Sequence, residues 1–152
     1  MGIVMSFKPI YAEQILRGMK DCEIRTYFGP IEPGEEILVY ESTPVKAFTG
    51  LFSVREVFVG WASEAIEWLR QCCELFDEEN WRFVEQHYVG SRRRLVVIAI
   101  ERGSARRLPR AVPLAEVRRY IPGYRPPISY ARDDRVFSLV LELSRGSGLD
   151  AL

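Results

Sequence analysis

Lys8, Lys20, Glu23 and Arg25 are the residues of this sequence whose types and spacing suit joint chemistry. Glu23 and Arg25 stand two apart in a stretch that alternates polar and apolar side chains, so they share one face of a strand. Lys20 comes just before it, in a turn that Gly18 permits. A lysine, a carboxylate and an arginine at one mouth suit nucleic acid. The cations hold phosphate or purine acceptors, and the glutamate accepts from the exocyclic amine of cytosine. If burial shifts a pKa, Lys20 and Glu23 also suit catalytic acid–base work. The same spacing makes an ordinary salt bridge, and spacing alone does not choose among these three.

Other chemistries are poorly supplied. Three cysteines without a Cys-x-x-Cys pair, and the single His87, match no zinc-ligand spacing, so no metal and no cofactor is expected. Cys22, Cys72 and Cys73 read as buried or incidental thiols, which suits a reducing cytoplasm. Neither a phosphate-binding glycine loop nor a G-x-S-x-G elbow is present. His87 lies in an acidic amphipathic segment, a poor place for a Ser-His-Asp base. No apolar run approaches the roughly 18 residues that span a membrane. No basic segment precedes the apolar residues 3–7, so a signal peptide is not expected. Gly2 with Ser6 fits a myristoylation pattern, but these residues read as a first strand.

Charge is zero overall and unevenly spread. Residues 61–90 carry two basic and seven acidic side chains, and residues 91–135 carry twelve and four. A basic face of that kind attracts phosphates by counterion release. The alternative is that these arginines pair with the acidic segment or solvate a surface. Eighteen of the twenty-one basic residues are arginine, which suits bidentate phosphate contacts and stacking on bases.

The elements that must position these residues follow from pattern. Residues 3–7 predict a strand. Pro9 opens a helix that Gly18 stops, and 22–27 predict a second strand. Strands follow at 36–40 and 45–59, the latter with a bend or bulge at Gly50. Residues 62–88 switch to helical spacing, with Ser63 as an N-cap. Residues 95–100 predict a strand buried on both faces. Five prolines make 103–132 loop-rich around a short helix at 114–120, and 136–143 predict a last strand. The length of 152 residues and 47% hydrophobic content fit one domain over 1–145, with 146–152 a short flexible tail. The expected class is α+β: a small β-barrel with flanking helices and a helical insertion at about 62–88.

The run from Met5 to Arg25 resembles the ASCH domain signature of the PUA-like superfamily. That signature reads Gly-x-Lys-x-x-Glu-x-Arg after a helix, and Gly18, Lys20, Glu23 and Arg25 complete it. Pro33-Gly34, residues 37–40 and Gly50 match the pattern downstream. The resemblance covers residues 3–60 well and continues weakly through 95–100 and 125–130. It implies a PUA-like barrel with a cleft lined by the motif, and a role in RNA binding or RNA metabolism. Some relatives look like enzymes: one bacterial group hydrolyses the amide of N4-acetylcytidine, and others act as ribonucleases. In the first group a threonine nucleophile stands three residues after the motif lysine. That position here is Glu23, and a carboxylate is no obvious substitute for an activated hydroxyl.

Further candidates surround this motif. Tyr40 and Tyr130 suit base stacking, worth about 1–3 kcal/mol, or are half-buried barrel residues. Arg92, Arg93 and Arg94 suit a backbone-binding rim or are solvated charges. Trp61, Trp68 and Trp81 read as core or interface. The resemblance places Thr43, Pro44 and Ser129 at the cleft border. The expected function is a nucleic-acid-binding protein, RNA first and DNA second, using Lys8, Lys20, Glu23, Arg25, Tyr40 and Tyr130. The alternative is a small hydrolase acting on a modified nucleoside or RNA through Lys20 and Glu23. A third reading makes the acidic helices at 62–88 a protein-interaction surface. Oligomeric state is not legible.

Overall fold

The computed structural model describes residues 2–146. Its order is β1 (Gly2–Phe7), α1 (Pro9–Leu16), β2 (Cys22–Thr26), β3 (Glu36–Glu41), β4 (Ala47–Gly60), α2 (Ala62–Cys72), α3 (Glu78–His87), β5 (Leu95–Ile100), β6 (Arg106–Pro113), α4 (Leu114–Tyr120), β7 (Tyr130–Arg132) and α5 (Asp134–Arg145). The seven strands form one sheet in the order β2-β5-β4-β3-β1-β7, with β6 also paired to β4. β1 and β3 run parallel in the register Ile3 to Ile37, and the other pairs are antiparallel.

Alternation along the strands divides the core. Ile3, Met5 and Phe7 join Ile37, Val39, Phe52, Val96 and Ile98 in an inner cluster capped by α1. Val4, Leu38, Tyr40 and Phe48 face the other way, against α4 and α5. Leu95, Val97 and Ala99 lie under α2 and α3, so β5 is buried on both faces.

The expected barrel is not closed by backbone pairing: β2 and β7 end the strand order without pairing to each other. Side chains bridge them instead. Phe28 stacks on Tyr130 with centroids 4.5 Å apart, and Arg25 Nη1 donates to Ser129 Oγ at 3.2 Å. The helices at 62–88 are present as α2 and α3, joining β4 to β5 and covering the β2–β5 end of the sheet.

Three expectations are corrected. The last strand, at 136–143, is the helix α5, because Val136, Val140 and Leu143 repeat at helical spacing. Asp133 caps it, accepting from the Val136 N–H at 3.0 Å. Within the loop-rich 103–132, β6 forms with Pro109 and Pro113 inside it, which an edge strand tolerates. Cys22 and Cys73 are bonded to each other rather than free, with Cα atoms 5.9 Å apart. The tail beyond Gly146 lies outside the described residues. No helix of the described residues is long and apolar enough to cross a membrane.

Candidate functional site

The site begins with the end of α1. Pro9 supplies the fixed φ of a first helical residue, and the helix runs two turns to Leu16. Gly18 then takes φ +72°, a left-handed conformation that favours glycine. Met19 N–H donates to the Gln14 carbonyl at 2.8 Å, the chain reverses, and Lys20 is delivered under the helix.

Lys20 and Glu23 are only 5% and 6% exposed, although both are charged. Lys20 Nζ donates to Glu23 Oε1 at 2.8 Å, and Arg25 Nε donates to Glu23 Oε2 at 3.0 Å. Glu23 and Arg25 share the inner face of β2, and the Arg25 guanidinium lies 4.5 Å from the Phe7 ring centroid. Two cations surround one carboxylate, so the cluster carries one excess positive charge. Burial is the largest influence on the Glu23 carboxyl and pushes its pKa up. The charges and hydrogen bonds of Lys20 and Arg25 together outweigh it and hold the group below its ordinary value.

A cavity of about 310 Å³ opens above this cluster. One side is Ser6, Phe7, Lys8 and Tyr11 from β1 and α1. The other is Asn80, Phe83 and Val84 from α3, with Tyr88 just beyond it. Phe76, Ser42 and Ile128 complete the lining. Lys20 Nζ sits 5.0 Å from the Tyr11 ring centroid and 5.7 Å from that of Phe76. Tyr11 packs edge-on to Phe83 at 5.7 Å. Burial and the Glu23 charge raise the pKa of both Tyr11 and Tyr88, so each phenol stays protonated and able to donate. Asn80 ties α3 to α1 through Gln14 Oε1, 3.1 Å from its Nδ2.

Ile128 is fully exposed, yet its backbone neighbours are anchored. Ser6 Oγ donates to the Pro127 carbonyl at 2.5 Å, and Ser6 N–H donates to the Ser129 carbonyl at 3.0 Å. An apolar side chain is thereby presented to solvent beside the cavity by a held segment.

Lys8, Lys20, Glu23 and Arg25 line this one cavity. Tyr40 and Tyr130 do not. Tyr40 faces the opposite core, 5.0 Å from the Phe48 ring, and Tyr130 covers the seam between the sheet ends while its hydroxyl donates to the Pro30 carbonyl at 2.6 Å. Ser129 is tied to Arg25, and Arg94 lies 4.8 Å from the Tyr27 ring. The aromatic wall of Tyr11, Phe76, Phe83 and Tyr88 is absent from the expectations. For Phe76, Phe83 and Tyr88 the signal was the concentration of aromatics in the acidic segment 61–90, whereas Tyr11 stands on α1. Among the described residues, Asp21, Cys22 and Cys73 are the one group whose ligand atoms converge as for a metal, within 4.8 Å. The two sulfurs are bonded to each other, and Asp21 already accepts from the N–H groups of Glu74 and Leu75.

The crystal structure of an ASCH protein from Zymomonas mobilis superposes with a TM-score of 0.74 at 19% identity, covering 93% of this chain and 94% of that one. A Pseudomonas putida crystal structure gives 0.57 at 13% identity, covering 95% and 99%. An NMR structure from Rhodopseudomonas palustris gives 0.51 at 14%, covering 95% and 92%. At such identities the likeness is one of fold. No curated protein sequence matches. The family model of the ASCH domain matches residues 5–105, from the second half of β1 to the turn before β6, and so takes in the whole Lys20–Glu23–Arg25 cluster. On that match and that fold, the chain belongs to the ASCH domain family of the PUA-like superfamily.

Proposed function

We propose that this protein binds RNA and takes one unpaired nucleotide into the cavity. The observation that carries this reading is the buried cluster of Lys20, Glu23 and Arg25, with its excess positive charge, at the base of an aromatic-walled cavity of about 310 Å³. That volume is at the small end of ligand sites and suits a single nucleoside. The rings of Tyr11, Phe76, Phe83 and Tyr88 offer faces for a base. Lys8, exposed at the rim, is placed for a phosphate. Sequence-specific RNA recognition uses unstacked bases of this kind, and the 2′-hydroxyl separates RNA from DNA.

Catalysis by Lys20 and Glu23 is the weaker reading. Both Glu23 oxygens already accept from cations, which keeps the carboxylate ionised and makes it a poor base. The lining serine hydroxyls are also committed: Ser6 donates to the Pro127 carbonyl and Ser42 to the Phe7 carbonyl.

The test is fluorescence anisotropy with single-stranded RNA, double-stranded RNA and single-stranded DNA of one sequence, at low and physiological salt. Wild type is expected to bind single-stranded RNA tightest, and Lys20→Ala to weaken it by about tenfold or more. Product analysis is expected to show the RNA intact. If no nucleic acid binds, the reading fails and a free nucleoside becomes the ligand to try.

A further inference from the structure

We propose that the Cys22–Cys73 disulfide is a reversible redox modification site that holds the Phe76 wall of the cavity in place. The bond joins β2, at the residue before Glu23, to the segment between α2 and α3. That segment carries Phe76, which lines the cavity and meets Trp81 edge-on at 4.8 Å. Three hydrogen bonds reinforce the link. The Asp21 carboxylate accepts from Glu74 N–H at 3.0 Å and Leu75 N–H at 3.1 Å, and Asp21 N–H donates to the Leu75 carbonyl at 3.3 Å. Asp21 and Cys22 follow Lys20 directly, so one short stretch both supplies the buried cation and straps down the opposite wall. The strap is one covalent bond plus hydrogen bonds to exposed backbone, and water competes with the latter once the former is cut.

The sulfurs differ in access. Cys22 is fully buried and Cys73 is partly exposed at the end of α2. A dithiol reductant therefore attacks Cys73 Sγ as its thiolate. A bond forms between reductant sulfur and Cys73, the Cys22–Cys73 bond breaks, and Cys22 leaves as a thiolate and takes a proton. The second thiolate of the reductant then attacks its own sulfur in the mixed disulfide. Cys73 is released as a thiol, and the reductant leaves as a cyclic disulfide. Two electrons and two protons pass to the protein. The neighbouring Cys72 does not compete as an internal attacker, since burial and Glu56 hold its thiol protonated.

This proposal rests on the cavity being a ligand site, and its test separates the two. Thiols are counted in denaturant before and after dithiothreitol, and amide exchange of residues 74–76 and anisotropy with single-stranded RNA are followed in both states. One thiol rising to three is expected, with exchange at 74–76 faster by about tenfold and RNA binding weaker by about fivefold. Cys73→Ser should match the reduced protein and ignore dithiothreitol. Three thiols in the oxidised protein overturn the proposal. So does a rise from one to three with exchange and RNA binding unchanged, which leaves the RNA reading intact. If neither state binds RNA, the RNA reading falls and amide exchange alone decides: faster exchange on reduction upholds the strap, and unchanged exchange overturns it.

Discussion

Glu23 has Lys20 on one oxygen and Arg25 on the other, which fixes its protonation state and makes it the pivot of the site. Removing its charge leaves a buried lysine and a half-buried arginine facing a neutral amide. Glu23→Gln is therefore expected to destabilise the fold by about 3 kcal/mol at neutral pH, read from urea denaturation. The pH dependence follows from the direction of the shift. The folded pKa of Glu23 lies below its unfolded value, about 4.3, so the stability it contributes is complete above that value and is lost as pH falls through the folded one. The gap between wild type and Glu23→Gln should be constant from neutral pH to about 5 and close below about 4. A gap that does not depend on pH would sink this assignment. The residues themselves were readable: two polar positions two apart on a strand must share a face, and they do. Burial was not readable, because Lys20 and Glu23 are shielded only where residues of α1 and α3, distant in sequence, meet β2 around one cavity. Nor was the aromatic wall, since Tyr11, Phe76, Phe83 and Tyr88 come from segments whose convergence is set by tertiary structure.

Elements place that cluster through close contacts, and Gly50 makes one of them. A Cβ there would overlap the Leu16 methyl groups of α1 and lie 2.7 Å from the Arg106 carbonyl oxygen of β6. The register of β4 against β3 shifts at the same place, where Thr49 is the extra residue between Phe48 and Gly50. Gly50→Ala must push α1 off the sheet or part β6 from β4. The expected cost is about 2 kcal/mol, or a Tm lower by about 4–8 °C. RNA binding should weaken with it, because α1 ends in the turn that delivers Lys20. An unchanged Tm would show that Leu16 alone absorbs the overlap. This glycine was legible as a bend within a long β run, because a small residue amid β-branched and aromatic ones has few other uses. The helix at 134–145 was not, because an apolar run of that length fits either period until its cap at Asp133 is seen. Closure was also misjudged: strand content suggested a barrel, whereas β2 and β7 are bridged by Phe28, Tyr130 and Arg25 without pairing.

Over the whole molecule the charge segregation of the sequence largely folds away. Among the described residues, five of the twelve arginines between 91 and 135 meet carboxylates: Arg102 with Glu74, Arg106 with Glu36, Arg107 with Glu13, Arg110 with Glu116 and Arg132 with Glu35. Just one of these partners, Glu74, belongs to the acidic segment 61–90. The rest lie on α1, α4 or at β3, so the pairing stitches distant parts of the fold instead of cancelling one block against another. A phosphate must displace these carboxylates to use those arginines, which makes a broad basic face a poor account of RNA binding. The cations at the cavity are Lys8, Lys20 and Arg25, of which the last two share the Glu23 carboxylate, so two positive charges are in excess. About two phosphate contacts at about 0.7 counterions each predict a slope near −1.4 for the logarithm of the RNA association constant against the logarithm of salt. Replacing Arg92 and Arg93 with alanine should leave that slope in place, while Lys8→Ala should make it shallower by about 0.7. A wild-type slope of about −6 or steeper, flattened by the Arg92 and Arg93 replacements, would move the binding surface to the arginine-rich stretch. The cavity would then serve some smaller ligand. A shallow slope that responds to Lys8 alone places binding at the seam, where the two ends of an open sheet are held together by the same arginine that clasps Glu23.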